Sequence, residues 1–138
     1  MKKRIVAGIL MLAGLSFGVA SAWAHHAFTA EYDGSKIITL TGTLTKVDWI
    51  NPHVFLYVDV KDSSGKITSW AVETGPPVAL HRYGAKRTMF VEGQTVKIDA
   101  CPAKDGTKAL AGLRHITFQN GTEFNYRDPD FPEANTPK

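Results

Sequence analysis

Between Ile38 and Gln119, apolar residues recur at every second position in short runs separated by turn residues, the period of half-buried strands. In Ile38 to Trp49, Ile38, Leu40 and Leu44 alternate with Thr39, Thr41, Thr43 and Thr45, and the apolar side then moves to Val47 and Trp49. Gly42 lies mid-run, where a glycine lets a long strand bend, and the later change of side is expected from a bulge or coil that re-aims the strand. Asn51-Pro52 breaks the run. His53 to Val60 alternates again, with Val54, Leu56, Val58 and Val60 on one face and His53, Phe55, Tyr57 and Asp59 on the other. Lys61 to Gly65 reads as a hairpin turn into a third strand, Lys66 to Thr74, which carries Trp70 and Val72.

Pro76-Pro77 ends this meander, and Val78 to Tyr83 followed by Gly84 reads as a short helix with a prolyl start and a glycine stop. Two further strands follow, Thr95 to Cys101 and about Lys108 to Gln119. The chain is therefore expected to be all-β with one short helix. Three strands, a helix and two strands resemble the OB-fold, a small five-stranded Greek-key barrel, over Ile37 to Gln119. A small β-sandwich shares much of the pattern. Residues 25–36 form an N-terminal arm on this division, 37–119 the barrel, and 120–138 a loosely ordered tail with Phe124, Tyr126 and Phe131 as anchors. Cys101 is the sole cysteine, so an apolar core must hold the fold without an internal disulfide.

Residues 1–24 have the three parts of a secretory signal: Lys2, Lys3 and Arg4, an apolar run from Ile5 to roughly Val19, and the small-residue site Ala22-Trp23-Ala24. A membrane span competes, but the uninterrupted run is shorter than the roughly 20 residues that a bilayer requires. Cleavage after Ala24 implies soluble export, most simply to a bacterial periplasm. The formal net charge of +3 is then misleading. Three of the 16 Lys and Arg leave with the signal, and the rest balance the 13 Asp and Glu. That balance argues against a nucleic-acid partner, which needs a basic patch, and the discarded signal leaves no membrane partner.

His25-His26-Ala27-Phe28, Glu31-Tyr32-Asp33, Thr41-Gly42-Thr43 and above all Trp49-Ile50-Asn51-Pro52-His53 resemble a family of small exported bacterial proteins known as a domain of unknown function. Leu80-x-Arg82-x-Gly84 and Ala103-Lys104-Asp105-Gly106 extend the likeness over nearly the whole mature chain. It implies a periplasmic β domain without an assigned activity. The chain departs from the family at Gly84-Ala85, where Gly-Trp is the associated pair, so no aromatic role carries over there.

Chemistry must come from the histidines. With cleavage after Ala24, the amine and imidazole of His25 can chelate one ion, and a distant imidazole, His53 or alternatively His115, would complete a three-nitrogen set. That set resembles the histidine brace of lytic polysaccharide monooxygenases. His26 offers a local alternative through the amine, the intervening amide and its own imidazole. Nitrogen sites of this kind favour Cu²⁺, with Zn²⁺ the usual competitor. The plainer expectation is that His25 and His26 head a frayed arm and His53 hydrogen-bonds a turn.

A second candidate is a ligand face of Phe55, Tyr57 and Trp70, suited to an unknown periplasmic protein, peptide or glycan; burial beneath Phe28 and Tyr32 is the competing expectation for Phe55 and Tyr57. Glu31, Asp33, Asp48, Asp59 and Glu73 form no acid/base pair by spacing and are expected mostly in water at strand ends. No nucleophile elbow, phosphate loop or zinc-protease motif is present, so an enzyme is the least supported class.

Overall fold

A computed structural model describes residues 27–127. Its elements are α1 (Ala27–Glu31), β1 (Ile38–Asp48), β2 (Phe55–Lys61), β3 (Ile67–Glu73), α2 (Pro77–Arg82), a 3₁₀ turn (Arg87–Met89), β4 (Thr95–Pro102), β5 (Leu110–Phe118) and β6 (Glu123–Asn125). The strands lie in the order β3-β2-β1-β4-β5-β6, and a β3–β5 pairing closes the first five into a barrel. All barrel pairings are antiparallel except β3–β5, which is parallel over Ala71–Glu73 and Leu110–Gly112. The fold is thus the small OB-like Greek-key barrel that the order of strands and helix anticipates.

β1 serves two neighbours. Its first half pairs β4 from Ile38 to Thr43, and its second half pairs β2 from Thr43 to Asp48. The register on β2 shifts between Leu44 and Lys46, which leaves Thr45 as the extra residue. This bulge turns both Leu44 and Val47 into the core. The change of side is therefore made by a bulge, as expected, and it is centred on Thr45. Gly42 has another role: a Cβ there would stand 2.2 Å from the Asp59 carbonyl oxygen, so only glycine lets β1 and β2 approach this closely.

The barrel interior is filled by Leu40, Leu44, Val54, Leu56, Val58, Val72, Val96, Ile98, Ala111, Leu113 and Ile116, with Leu80 of α2 and Phe90 closing one end. α2 stops as the sequence predicts. Gly84 takes φ +93°, and the Ala85 N–H donates to the Leu80 carbonyl at 2.9 Å, which satisfies a late helical acceptor.

A second, smaller apolar layer lies outside the barrel wall. Tyr32 and Cys101 are fully buried there, with Phe28, Ala103 and Leu110 packed around them. α1 and the Tyr32–Ala103 bridge thereby fasten the arm to the barrel. Gly112 admits this layer, since a Cβ at that position would lie 2.3 Å from the Phe28 ring.

The tail also differs from expectation as far as Arg127. Gly121 takes φ +81° and returns the chain as β6, which pairs with His115–Thr117. Phe124 and Tyr126 are buried, as anchors should be. Within residues 120–127 the expected loose order gives way to a short sixth strand, because these two rings offset the cost of its pairing with apolar burial. Phe131 lies outside the described residues, as do His25, His26 and the signal segment.

Candidate functional site

His53 is placed by backbone pairing just ahead of β2. The Val54 N–H donates to the Gly75 carbonyl at 3.1 Å, and the Thr74 N–H returns to the Val54 carbonyl at 2.9 Å. These bonds bring the end of β3 against the Asn51-Pro52 turn. The β2–β3 register sets Glu73 opposite Phe55, on the face that His53 shares by alternation.

Glu73 is buried, and both carboxylate oxygens are engaged. The Tyr32 hydroxyl donates to Oε2, and His53 Nδ1 is paired with Oε1. The expectation that Glu73 sits in water at a strand end is thereby corrected. Tyr32, from the arm, and His53, from the barrel, meet on a single carboxylate. Burial, followed by the hydrogen bond to Glu73 and the charges of Glu73, Glu31 and Asp105, raises the Tyr32 phenol far above its ordinary range. Tyr32 is therefore a neutral donor at any ordinary pH.

Glu31 borders the same site. Its carboxyl is held above the usual range by burial, then by the charges of Glu73 and Asp105, while His53 acts in the opposite sense. The Lys104 ammonium donates to the Thr29 carbonyl at 2.5 Å.

This geometry prepares one imidazole. With Nδ1 held by a carboxylate, His53 presents Nε2 as its remaining ring atom, and 35% of the side chain is open. A carboxylate behind an imidazole is the arrangement that orients metal-binding histidines and raises their basicity. Among the described residues, no three His, Cys, Asp or Glu side chains form a set able to hold a metal, so further donors would have to come from elsewhere, and His25 and His26 lie outside those residues.

His115 has different partners. Its Nδ1 is 3.7 Å from Asp99 and its Nε2 3.7 Å from Glu123, so carboxylates of β4 and β6 flank it on both sides. Asp99 also accepts from the Thr39 hydroxyl at 2.6 Å. Neither of these carboxylates is the one that His53 uses.

The expected ligand face does not hold together. Phe55 and Tyr57 share the outer face, with centroids 6.5 Å apart and planes inclined by 29°, and the Lys46 ammonium stands 5.1 Å from the Tyr57 ring. Trp70 pairs with Val58 and packs against the barrel core, so it belongs to the opposite face. Trp70 is accordingly removed from that set. Phe28 and Tyr32 pack with Cys101, Ala103 and Leu110 in the outer layer. Burial raises the Cys101 thiol, which leaves it an inert packing group.

Sequence reasoning missed Tyr32 and Glu73 as partners. Counting back from the Asp62–Gly65 turn, with Lys61 opposite Ile67, would have put Glu73 beside the His53 end of β2. The contact with Tyr32 has no comparable local signal.

Comparison with known proteins adds little about activity. No curated protein matches the chain. A crystal structure of the mitochondrial single-stranded DNA binding protein Rim1 of S. cerevisiae is similar at 11% identity and a TM-score of 0.43, over 65% of this chain and 96% of that one. That neighbour is a single-stranded DNA binding protein, and the expectation of no nucleic-acid partner, drawn from charge balance, is not carried forward. A family model covers residues 13–114, and the chain belongs to that family, described as a family of unknown function, DUF6152.

Proposed function

We propose that this protein is an exported periplasmic barrel that binds copper through the N-terminus left by cleavage after Ala24. The observation that carries this reading is the double engagement of Glu73, which ties the arm through Tyr32 to the carboxylate that orients His53. Tyr32, seven residues after His25 in the sequence, is thereby held on the carboxylate that His53 shares. In the proposed site the His25 amine and imidazole supply two nitrogens and His53 Nε2 the third, with His26 as the local alternative. Glu73 acts behind His53, orienting the ring.

The test is a Cu²⁺ titration of protein starting at His25, of the same protein with one added N-terminal Gly, and of His53→Ala. Tight binding is expected only for the first. Equal, weak binding by all three would remove the site, and binding lost with the added Gly but kept in His53→Ala would assign the metal to His25-His26 alone.

A second reading, a metal-free module for a protein, peptide or glycan, is favoured by the stacked, partly exposed Phe55 and Tyr57 beside Lys46. It predicts that Tyr57→Ala abolishes ligand capture while Cu²⁺ has no effect on the fold.

A further inference from the structure

Ile50, Val78 and Val91 are 61%, 65% and 57% exposed. They border one aromatic cluster. Trp49, next to Ile50, has its ring 5.6 Å from His81 and 5.3 Å from Phe90. His81 is three residues from Val78 along α2, and Phe90 directly precedes Val91. The three aliphatic side chains therefore surround the same end of the barrel, built from the β1–β2 connection, α2 and the segment after the 3₁₀ turn.

Positive charge predominates at this end: the neighbouring carboxylates are engaged, Glu92 accepting from the Val47 N–H at 3.0 Å and Asp48 paired with Lys46 at 2.8 Å. From Thr74 to Val91 the chain carries Arg82, Lys86 and Arg87 and not one carboxylate. Arg82 stands four residues from Val78 on the same side of α2. Arg82 and Lys86 are exposed, and neither is in an ion pair among the described residues. Local positive charge beside protruding apolar side chains is the combination that recognises an anionic bilayer.

We propose that the barrel end carrying Ile50, Val78 and Val91 docks on an anionic lipid surface, with Arg82, Lys86 and Arg87 at the headgroups and the aliphatic side chains entering the interface. A lipid surface is favoured over an acidic protein because these side chains project outward at high exposure instead of lining a groove. The inference does not rest on the proposed copper site, although His53 lies three residues from Ile50 on the same β1–β2 connection.

Protein starting at His25, which contains the whole described domain, is sedimented with vesicles of phosphatidylglycerol and phosphatidylcholine and with vesicles of phosphatidylcholine alone. Binding is expected to the anionic vesicles only, and to fall with salt. Arg82→Gln with Lys86→Gln should weaken it about five-fold for each charge removed. Ile50→Ser with Val78→Ser, at unchanged charge, should weaken it about ten-fold. Circular dichroism verifies that both variants remain folded, as substitutions at exposed positions should. Failure to bind anionic vesicles, unchanged binding by either folded variant, or preference for polyglutamate over vesicles would each overturn the proposal.

Discussion

Tyr32 in the arm and Glu73 at the end of β3 are joined by a buried hydrogen bond across 41 residues of sequence. The same carboxylate holds His53, so a single acidic side chain connects the outer layer, the barrel wall and the one prepared imidazole. A buried carboxylate is costly unless paired, and here the pairing is shared by two segments distant in sequence. Loss of either partner should therefore be felt in both.

Tyr32→Phe keeps the ring that packs with Phe28, whose centroid is 4.6 Å away, and removes only the donor. Glu73 then has one oxygen without its partner. A loss of about 2 kcal/mol in unfolding free energy is expected, measured by urea denaturation. A change below a few tenths would mean that water replaces the hydroxyl at no cost.

Two glycines separate the stability of the barrel from that of the arm. Gly42→Ala drives a Cβ against the Asp59 backbone, which cannot yield without disturbing the β1–β2 ladder, so global stability should fall by about 3 kcal/mol. Gly112→Ala meets the Phe28 and Tyr32 side chains instead. It should loosen the arm while the barrel persists. Hydrogen exchange should then show lost protection at the Tyr32 and Lys104 amides, with β1 and β4 unchanged.

The barrel was legible because strand alternation and turn residues are local signals, and the five strand positions and α2 follow from them to within a few residues. β6 was not, since Glu123–Asn125 is too short to show a period and gains its order from Phe124 and Tyr126. The site was legible only in part. His53 stands out as an imidazole after a Pro turn, but its meaning depends on Glu73 and Tyr32, and contacts between the arm and β3 leave no trace in spacing. Trp70 was misassigned because a ligand face was inferred from residue type, whereas strand parity places it inside.

The acid response has opposing parts. Asp33 is held at about 2, first by the Ser35 hydroxyl and then by Lys36. Asp48, through Lys46, Asp62, through Ser64, and Asp105, through Thr107, are also lowered. A depressed carboxyl contributes stability above its unfolded pKa, near 4, and loses it as pH falls toward the folded value. Glu31, raised by burial, does the reverse: its contribution is present at low pH and lost as pH rises through its folded pKa. Thermal melts should therefore show the parent less stable than Glu31→Gln at pH 7, with the two converging below about pH 4. A gap that widens on acidification would refute the assignment.

The same carboxylate gives the proposed copper site its most discriminating variant. Glu73→Gln keeps the size of the side chain and an oxygen for one partner but removes the charge that orients His53. If Nε2 of His53 binds Cu²⁺, losing that support should weaken affinity ten-fold or more. Tyr32→Phe leaves the His53–Glu73 pair intact but releases the arm from Glu73, so it should cost stability and weaken affinity less than Glu73→Gln does. His53→Ala should weaken binding further than Glu73→Gln, because it removes the donor and not only its support. Competition against a chromogenic Cu²⁺ chelator at pH 7 measures all three on one scale. Affinity that follows stability, with Tyr32→Phe as damaging as Glu73→Gln, would show that Glu73 serves only to fasten the arm.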